Sequence, residues 1–121
     1  MAGKRTLVIG ASTNPSRYSN IAINRLVDAG HEVIALGLKP GEVAGIPIQT
    51  YPESWEEVDT ITMYVGAARQ IPFYNYILSL KPKRVIFNPG AESEELEQLL
   101  SHHNIEVLEA CTLVMLATNQ Y

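Results

Sequence analysis

The sequence predicts an α/β fold of three layers, in which helices cover both faces of a five-stranded parallel sheet. Two observations predict it. Short apolar runs rich in β-branched residues alternate along the chain with longer amphipathic runs. The short runs are also continuously apolar rather than alternating, as in strands that are buried on both faces. We expect residues 1–121 to form one domain, because this length leaves little room for a second.

The five predicted strands are short, and each is followed by a turn or an amphipathic run. They cover residues 6–10, 32–36, 60–65, 84–87 and 105–108. Right-handed crossovers between parallel strands place the first strand centrally, and we expect the strand order 3-2-1-4-5. Ligands bind such sheets beyond the carboxyl ends of the strands, where the order reverses. The ligand site is therefore predicted between the loops after strands one and four.

Amphipathic runs predict helices over residues 19–29, 72–80, 92–103 and 111–118. Pro72 is expected in the first turn of the second helix, where its missing N–H costs nothing. Segment 37–57 is rich in proline and glycine, which predicts mainly turns, with a short helix near residues 54–58.

The loop after the first strand contains the first candidate site residues. Gly10 permits a sharp turn and a close approach to a ligand, and small or hydroxylated residues follow it. Ser19 or Asn20 is expected to cap the next helix, whose free N–H groups and dipole suit a phosphate. Ser12 stands where the dinucleotide fingerprint requires its second glycine, so that motif is absent. A plain connection between strand and helix remains the alternative.

Basic residues narrow the choice of ligand. Enzymes that use NAD usually carry an acidic residue after the second strand, but this chain has Lys39 near that position, which suits a ribose phosphate. Most of the other bases precede strands and are expected at the opposite edge of the sheet. Arg17, Lys39 and Arg69 alone lie in loops that follow strands, and their convergence would suit a ligand with several phosphates. Unrelated surface charges are the alternative.

Motifs distributed over nearly the whole chain resemble one known family. They are Val-Ile-Gly-Ala-Ser-x-x-Pro at residues 8–15, Ala-Gly-His-Glu-Val-Ile at 29–34, Gly-Ile-Pro-Ile at 45–48, Asn-Pro-Gly-Ala at 88–91, and Ile-Glu-Val-Leu at 105–108 before Cys111. Together they resemble the stand-alone CoA-binding domains, whose Rossmann-like fold recurs in the N-terminal part of the succinyl-CoA synthetase alpha subunit.

The resemblance implies coenzyme A, or an acyl-CoA, as the cofactor. In that family the loops after the first three strands hold the adenosine and phosphates. The matching positions here are Gly10, Ala11, Ser12, Asn14, Ser19, Lys39, Val65 and Gly66. The chain departs from many members at residues 38–40, where they have Asn-Pro, and at 88–90, where they have a Gln-Leu-Gly type of segment.

Composition excludes several classes of partner. The net charge of −4 argues against a nucleic-acid surface, and no apolar stretch approaches the ~20 residues of a membrane span. The lone Cys111 excludes an intramolecular disulfide and a cysteine-rich zinc site, and no metal ligands are assigned. Residues 1–9 lack a signal-peptide core, which predicts the cytoplasm. The sequence does not predict the oligomeric state.

No nucleophile, base and orienting group occur in a recognisable combination, so no catalytic residue is assigned. We therefore expect a non-catalytic module that binds coenzyme A or an acyl-CoA, although catalysis is left undecided. One alternative is an enzyme that uses NADP or another nucleotide, for which Tyr18 and Tyr64 are the nearest proton donors. The other is a Rossmann-shaped interaction domain without a small ligand.

Overall fold

A computed structural model describes residues 3–121; residues 1 and 2 of the predicted domain lie outside it. It contains a seven-stranded sheet in the order β3-β4-β2-β1-β5-β6-β7. Every neighbouring pair is parallel except β3 and β4. The strands are β1 (Thr6–Ala11), β2 (Val33–Gly37), β3 (Gly41–Val43), β4 (Ile46–Gln49), β5 (Thr60–Met63), β6 (Arg84–Phe87) and β7 (Glu106–Glu109).

Helices cover both faces of this sheet, which confirms the predicted three-layer α/β architecture. They are α1 (Tyr18–Asp28), α2 (Ala67–Gln70), α3 (Tyr74–Leu80), α4 (Glu94–His102) and α5 (Thr112–Ala117), and a 3-10 turn (Ile71–Phe73) joins α2 to α3. One core cluster contains Ile77 of α3 and Leu96 of α4. The other contains Ile23 and Leu26 of α1, with Leu116 of α5 packed against it. The central strands are therefore buried between two apolar layers.

The prediction of five strands was wrong, because segment 37–57 contains two more. Ala44 and Gly45 both have positive φ, 52° and 80°, and form the tight turn that joins β3 to β4. Pro47 favoured a turn in the sequence, but it lies ahead of Ile48, where pairing with β2 begins, so its missing N–H is tolerated. The short helix expected near residues 54–58 is absent; no helix lies between β4 and β5 among the described residues.

The predicted order 3-2-1-4-5 was wrong for the same reason. β4, which the sequence analysis missed, occupies the place beyond β2, and the chain then crosses back to set β5 beside β1. Counted over parallel strands alone, the order is 3-2-1-4-5-6, as in Rossmann folds. The order therefore reverses between β1 and β5. The predicted position between β1 and the strand at 84–87 was wrong, because β5 separates them.

At the opposite edge of the sheet, where the strands begin, the ring of Tyr121 packs against Arg84 and His31. The Tyr121 ring lies 4.5 Å from the guanidinium carbon of Arg84, which is 9% exposed, and 4.7 Å from the His31 ring. The backbone N–H of Lys4 donates to His31 Nδ1 over 2.9 Å. Lys4, Arg5 and Arg84 are among the bases that precede strands: Lys4 and Arg84 contact Tyr121, and Arg5 pairs with Glu32, so all three lie far from the carboxyl ends of the strands, as expected.

Stability is expected to fall as the pH drops below about 6.5, the ordinary pKa of histidine. Burial lowers the pKa of His31, and the charges of Lys4 and Arg84 lower it further. The unfolded chain therefore binds the proton more readily, so stability is present above the unfolded pKa and declines below it. In His31→Asn, which keeps an acceptor for the Lys4 N–H, the free energy of unfolding should decline less between about pH 7.5 and 5.5, as measured by urea unfolding. A control substitution at the exposed His102 should leave the decline with pH unchanged. An equal decline in the two variants would show that His31 is not its cause.

Candidate functional site

Three chain segments meet at the end of β1, around residues 10–13. The φ of Gly10 is +102°, and an added Cβ would lie 3.1 Å from Tyr64 Cβ and from Val65 Cγ2, in the segment after β5. After β2, a Cβ on Gly37 would lie 2.4 Å from the carbonyl oxygen of Ala11. A Cβ on Gly41 would lie equally close to Thr13 in the first loop. Glycine is therefore required for the loops after β1, β2 and β5 to approach this closely.

The first loop is shaped by its own polar side chains. Ser12 Oγ accepts the Asn14 N–H over 3.1 Å, and Asn14 Oδ1 accepts both the N–H and the hydroxyl of Ser16. Asn20 Nδ2 donates to the Ser12 carbonyl over 2.9 Å and ties the loop to α1. Ser12 and Asn14 were predicted as ligand contacts, and in the structure their side chains hold the loop in shape.

The start of α1 has no side-chain cap. The cap position is Arg17, so the expected cap at Ser19 or Asn20 was wrong; both are buried within the first turn. By contrast, Ser93 Oγ caps α4, and three acidic residues lie in the first turn of that helix. The first turn of α1 contains no acidic residue. Among the described residues, no side-chain cap and no acidic residue of the first turn therefore balances the positive dipole end of α1 beside the first loop, an arrangement that suits an anion.

Three basic side chains surround this edge. Arg17 and Lys39 are exposed in the loops after β1 and β2, and Arg69 is exposed on α2, which follows β5. Within residues 3–121, none of the three forms an ion pair or a side-chain hydrogen bond. Gly66, beside Arg69, has nothing within 4 Å of an added Cβ and so faces open space. Free cations at three neighbouring loops can bind several phosphate charges.

The two tyrosines considered as proton donors differ sharply. The Tyr64 hydroxyl is buried and has no hydrogen-bond partner among residues 3–121, and burial raises its pKa to about 12. Its ring packs against the apolar cluster that contains Ile23 and Leu26, on the face of the sheet that α1 and α5 cover. Tyr18 is 71% exposed at the start of α1. Tyr64 is therefore packed in the layer that contains α1 and α5, whereas Tyr18 is open to solvent at the first loop.

A buried amide that the sequence analysis did not single out connects three elements. Asn88, which is 2% exposed, follows β6, and its Nδ2 donates to Thr62 Oγ1 and to the Met63 carbonyl over 2.7 and 2.9 Å. Its Oδ1 accepts the backbone N–H of Thr112, the first residue of α5. The half-buried Cys111 precedes that residue. The partners lie 24–26 positions away, so no local pattern could have identified this role.

A groove of about 700 Å³ lies between α4 and β7, away from these loops. Its lining includes Glu94, Glu97 and Glu109. Burial raises the pKa of Glu97, and the nearby Glu109 carboxylate raises it further. This groove repels anions and does not suit a phosphate-containing ligand.

The family model described as "CoA binding domain" matches residues 4–117 of this chain. Among curated protein sequences, none matches it. No helix among residues 3–121 is long and apolar enough to cross a bilayer.

Several solved structures are similar to this one. A crystal structure of a protein described as uncharacterized, 50% identical, has a TM-score of 0.97 and covers 100% of both chains. A conserved hypothetical protein from Pyrococcus furiosus is 27% identical, with a TM-score of 0.78 over 92% of this chain and 97% of that one. A protein from Thermus thermophilus, at 22% identity and a TM-score of 0.85 over 98% and 91%, shares the fold.

Proposed function

Because the chain belongs to the family of CoA binding domains, we propose that residues 1–121 act as one non-catalytic module that binds coenzyme A or an acyl-CoA. The loops after β1, β2 and β5 are the proposed binding surface. The observation that carries this assignment is the meeting of these segments at residues 10–13, with Arg17, Lys39 and Arg69 in the same segments and without an ion pair among the described residues. The lone thiol of Cys111 suits a reducing compartment, and the proposal includes the cytoplasm as the location.

Each part of the ligand has a proposed partner. The pyrophosphate lies against the uncapped start of α1, where N–H groups and the helix dipole favour negative charge. Lys39, after β2, binds the 3′-phosphate of the ribose, and Arg17 and Arg69 contribute charge on either side. Gly10, Ala11, Val65 and Gly66 allow the ligand to approach the backbone. Ser12 and Asn14 hold the first loop in shape, and Ser19 belongs to the start of α1 that faces the pyrophosphate.

Coenzyme A is expected to raise the melting temperature of the protein, and NAD is not. At a free concentration about 100 times its dissociation constant, a ligand that binds only the folded state adds about 2.7 kcal/mol of stability. NAD lacks the phosphate on the 2′ or 3′ hydroxyl of the adenosine ribose that Lys39 is proposed to bind. Differential scanning fluorimetry with coenzyme A, acetyl-CoA, NAD and NADP tests this. A shift with NADP alone would favour a nucleotide-dependent enzyme, and no shift with any of them would favour an interaction domain.

A further inference from the structure

Gln70 is a fully buried amide that joins the loops after β5 and β6. It is 0% exposed and ends α2, immediately before the 3-10 turn. Its Nε2 donates to the carbonyl oxygen of Val65 over 2.7 Å and to that of Ala91 over 2.6 Å. Those carbonyls belong to the segments at residues 64–66 and 88–91, so one side chain sets the distance between the two loops.

This arrangement leaves one polar atom without a partner. Only Nε2 can donate to two carbonyls, and Gln70 Oε1 then has no hydrogen-bond partner among the described residues. A buried acceptor without a donor is costly and uncommon. A methionine of similar length would avoid the cost in the same space, but it would leave both carbonyls without their donor. The connection between the loops is thus maintained at the expense of an unsatisfied oxygen.

Both loops lie beside the proposed phosphate site, on the side away from Lys39. Adjacent strands are about 4.8 Å apart, so the ends of β5 and β6 lie roughly 5 and 10 Å from the end of β1 along the sheet edge. Gly66 and Gly90, one in each loop, have nothing within 4 Å of an added Cβ. A linear ligand with its nucleoside over β2 and its phosphates over β1 would extend across these two open backbones.

We propose that Gln70 is a positioning residue that holds the loops at 64–66 and 88–91 at the separation needed to bind the pantetheine arm of coenzyme A. This inference rests on the proposed function and extends it to the half of the ligand beyond the pyrophosphate. The Gln70 side chain touches the loops and not the ligand. Its loss therefore weakens binding of the arm most, because Lys39 and the start of α1, which hold the nucleotide half, do not contact Gln70.

The test compares coenzyme A with adenosine 3′,5′-bisphosphate, which carries the nucleoside and 3′-phosphate but no arm. We expect Gln70→Met to weaken coenzyme A about tenfold by calorimetric titration and the bisphosphate less than about twofold. Gln98→Met, at an exposed glutamine of α4, is the matched control and should leave both affinities unchanged. Equal weakening of the two ligands would overturn the proposal, because a general loss of structure does not distinguish them.

Hydrogen–deuterium exchange on the unaltered protein gives a second readout, which decides the matter if Gln70→Met does not fold. We expect coenzyme A to slow exchange of the amides at 64–70 and 88–91, and the bisphosphate to slow only those of the first loop, of α1 and of the loop after β2. Identical protection by both ligands would overturn the role of the loops while leaving the nucleotide site intact. Failure of the unaltered protein to bind either ligand would instead overturn the proposed function itself.

Discussion

Replacing Asn88 by leucine is expected to lower the free energy of unfolding by about 3–5 kcal/mol. The side chain is buried and makes three hydrogen bonds, to Thr62, Met63 and Thr112. Leucine has the same branched heavy-atom skeleton but cannot accept from the Thr112 N–H or donate to Thr62 Oγ1, and the Met63 carbonyl keeps only the backbone N–H of residue 88. The cost combines the desolvation of the Thr112 N–H, the lost donated bonds and the crowding of two larger methyl groups in a buried site. Urea unfolding at neutral pH measures it.

Two further variants separate this cause from general damage. Asn75→Leu, at an exposed asparagine of α3, should change stability by less than about 0.5 kcal/mol. Asn88→Asp keeps an acceptor for the Thr112 N–H but buries a charge and sets a carboxylate oxygen against the Met63 carbonyl, so its loss at neutral pH should be at least as large as that of Asn88→Leu and should shrink as the carboxyl is protonated at lower pH. If Asn88→Leu proves as stable as Asn75→Leu, the network around Asn88 does not hold α5 against the sheet.

The parallel strands could be predicted because each is specified by its own residues. The five apolar runs become β1, β2, β5, β6 and β7 with bounds shifted by two residues at most. β4 could not be predicted in this way, because only two of its residues pair with β2 and one of its four residues is Pro47. Its stability as a strand comes from β2 on one side and β3 on the other. That is tertiary information, which the local composition of segment 37–57 obscures.

The candidate site likewise contains some residues that could be predicted from the sequence and others that could not. Gly10 and the bases after strands could be placed from the sequence, because backbone freedom and chain order act locally. The contributions of Asn88 and Gln70 could not, because the partners of Asn88 lie 24–26 positions away and the second partner of Gln70, Ala91, lies 21 positions away. The ligand site was predicted beside the wrong loop for the same reason. Because β4 was missed, β5 was expected beside β2, whereas it lies beside β1. The residues proposed to contact the ligand were thus easier to predict than the buried side chains that hold their loops in place.

Removing either Lys39 or the 3′-phosphate of the ligand is expected to weaken binding by about 1.5–3 kcal/mol, a charged hydrogen bond lost in each case. Lys39 is exposed, follows β2 and forms no ion pair within the described chain, so nothing in the protein competes for its ammonium group. Calorimetric titration of wild type and Lys39→Ala with coenzyme A and dephospho-CoA gives the four affinities of a double-mutant cycle. Lys81→Ala, at an exposed lysine that follows α3, is the control for the loss of one positive charge.

The two changes should not add. If Lys39 binds the 3′-phosphate, Lys39→Ala weakens coenzyme A but leaves dephospho-CoA nearly unaffected, because the phosphate that the lysine contacted is already absent. The coupling energy then approaches the whole effect of either change alone, and it decreases as salt screens the exposed pair. Equal weakening of both ligands would mean that Lys39 acts on another part of the molecule. In that case the preference over NAD would have to arise from Arg17 or Arg69, the other two free cations at this edge.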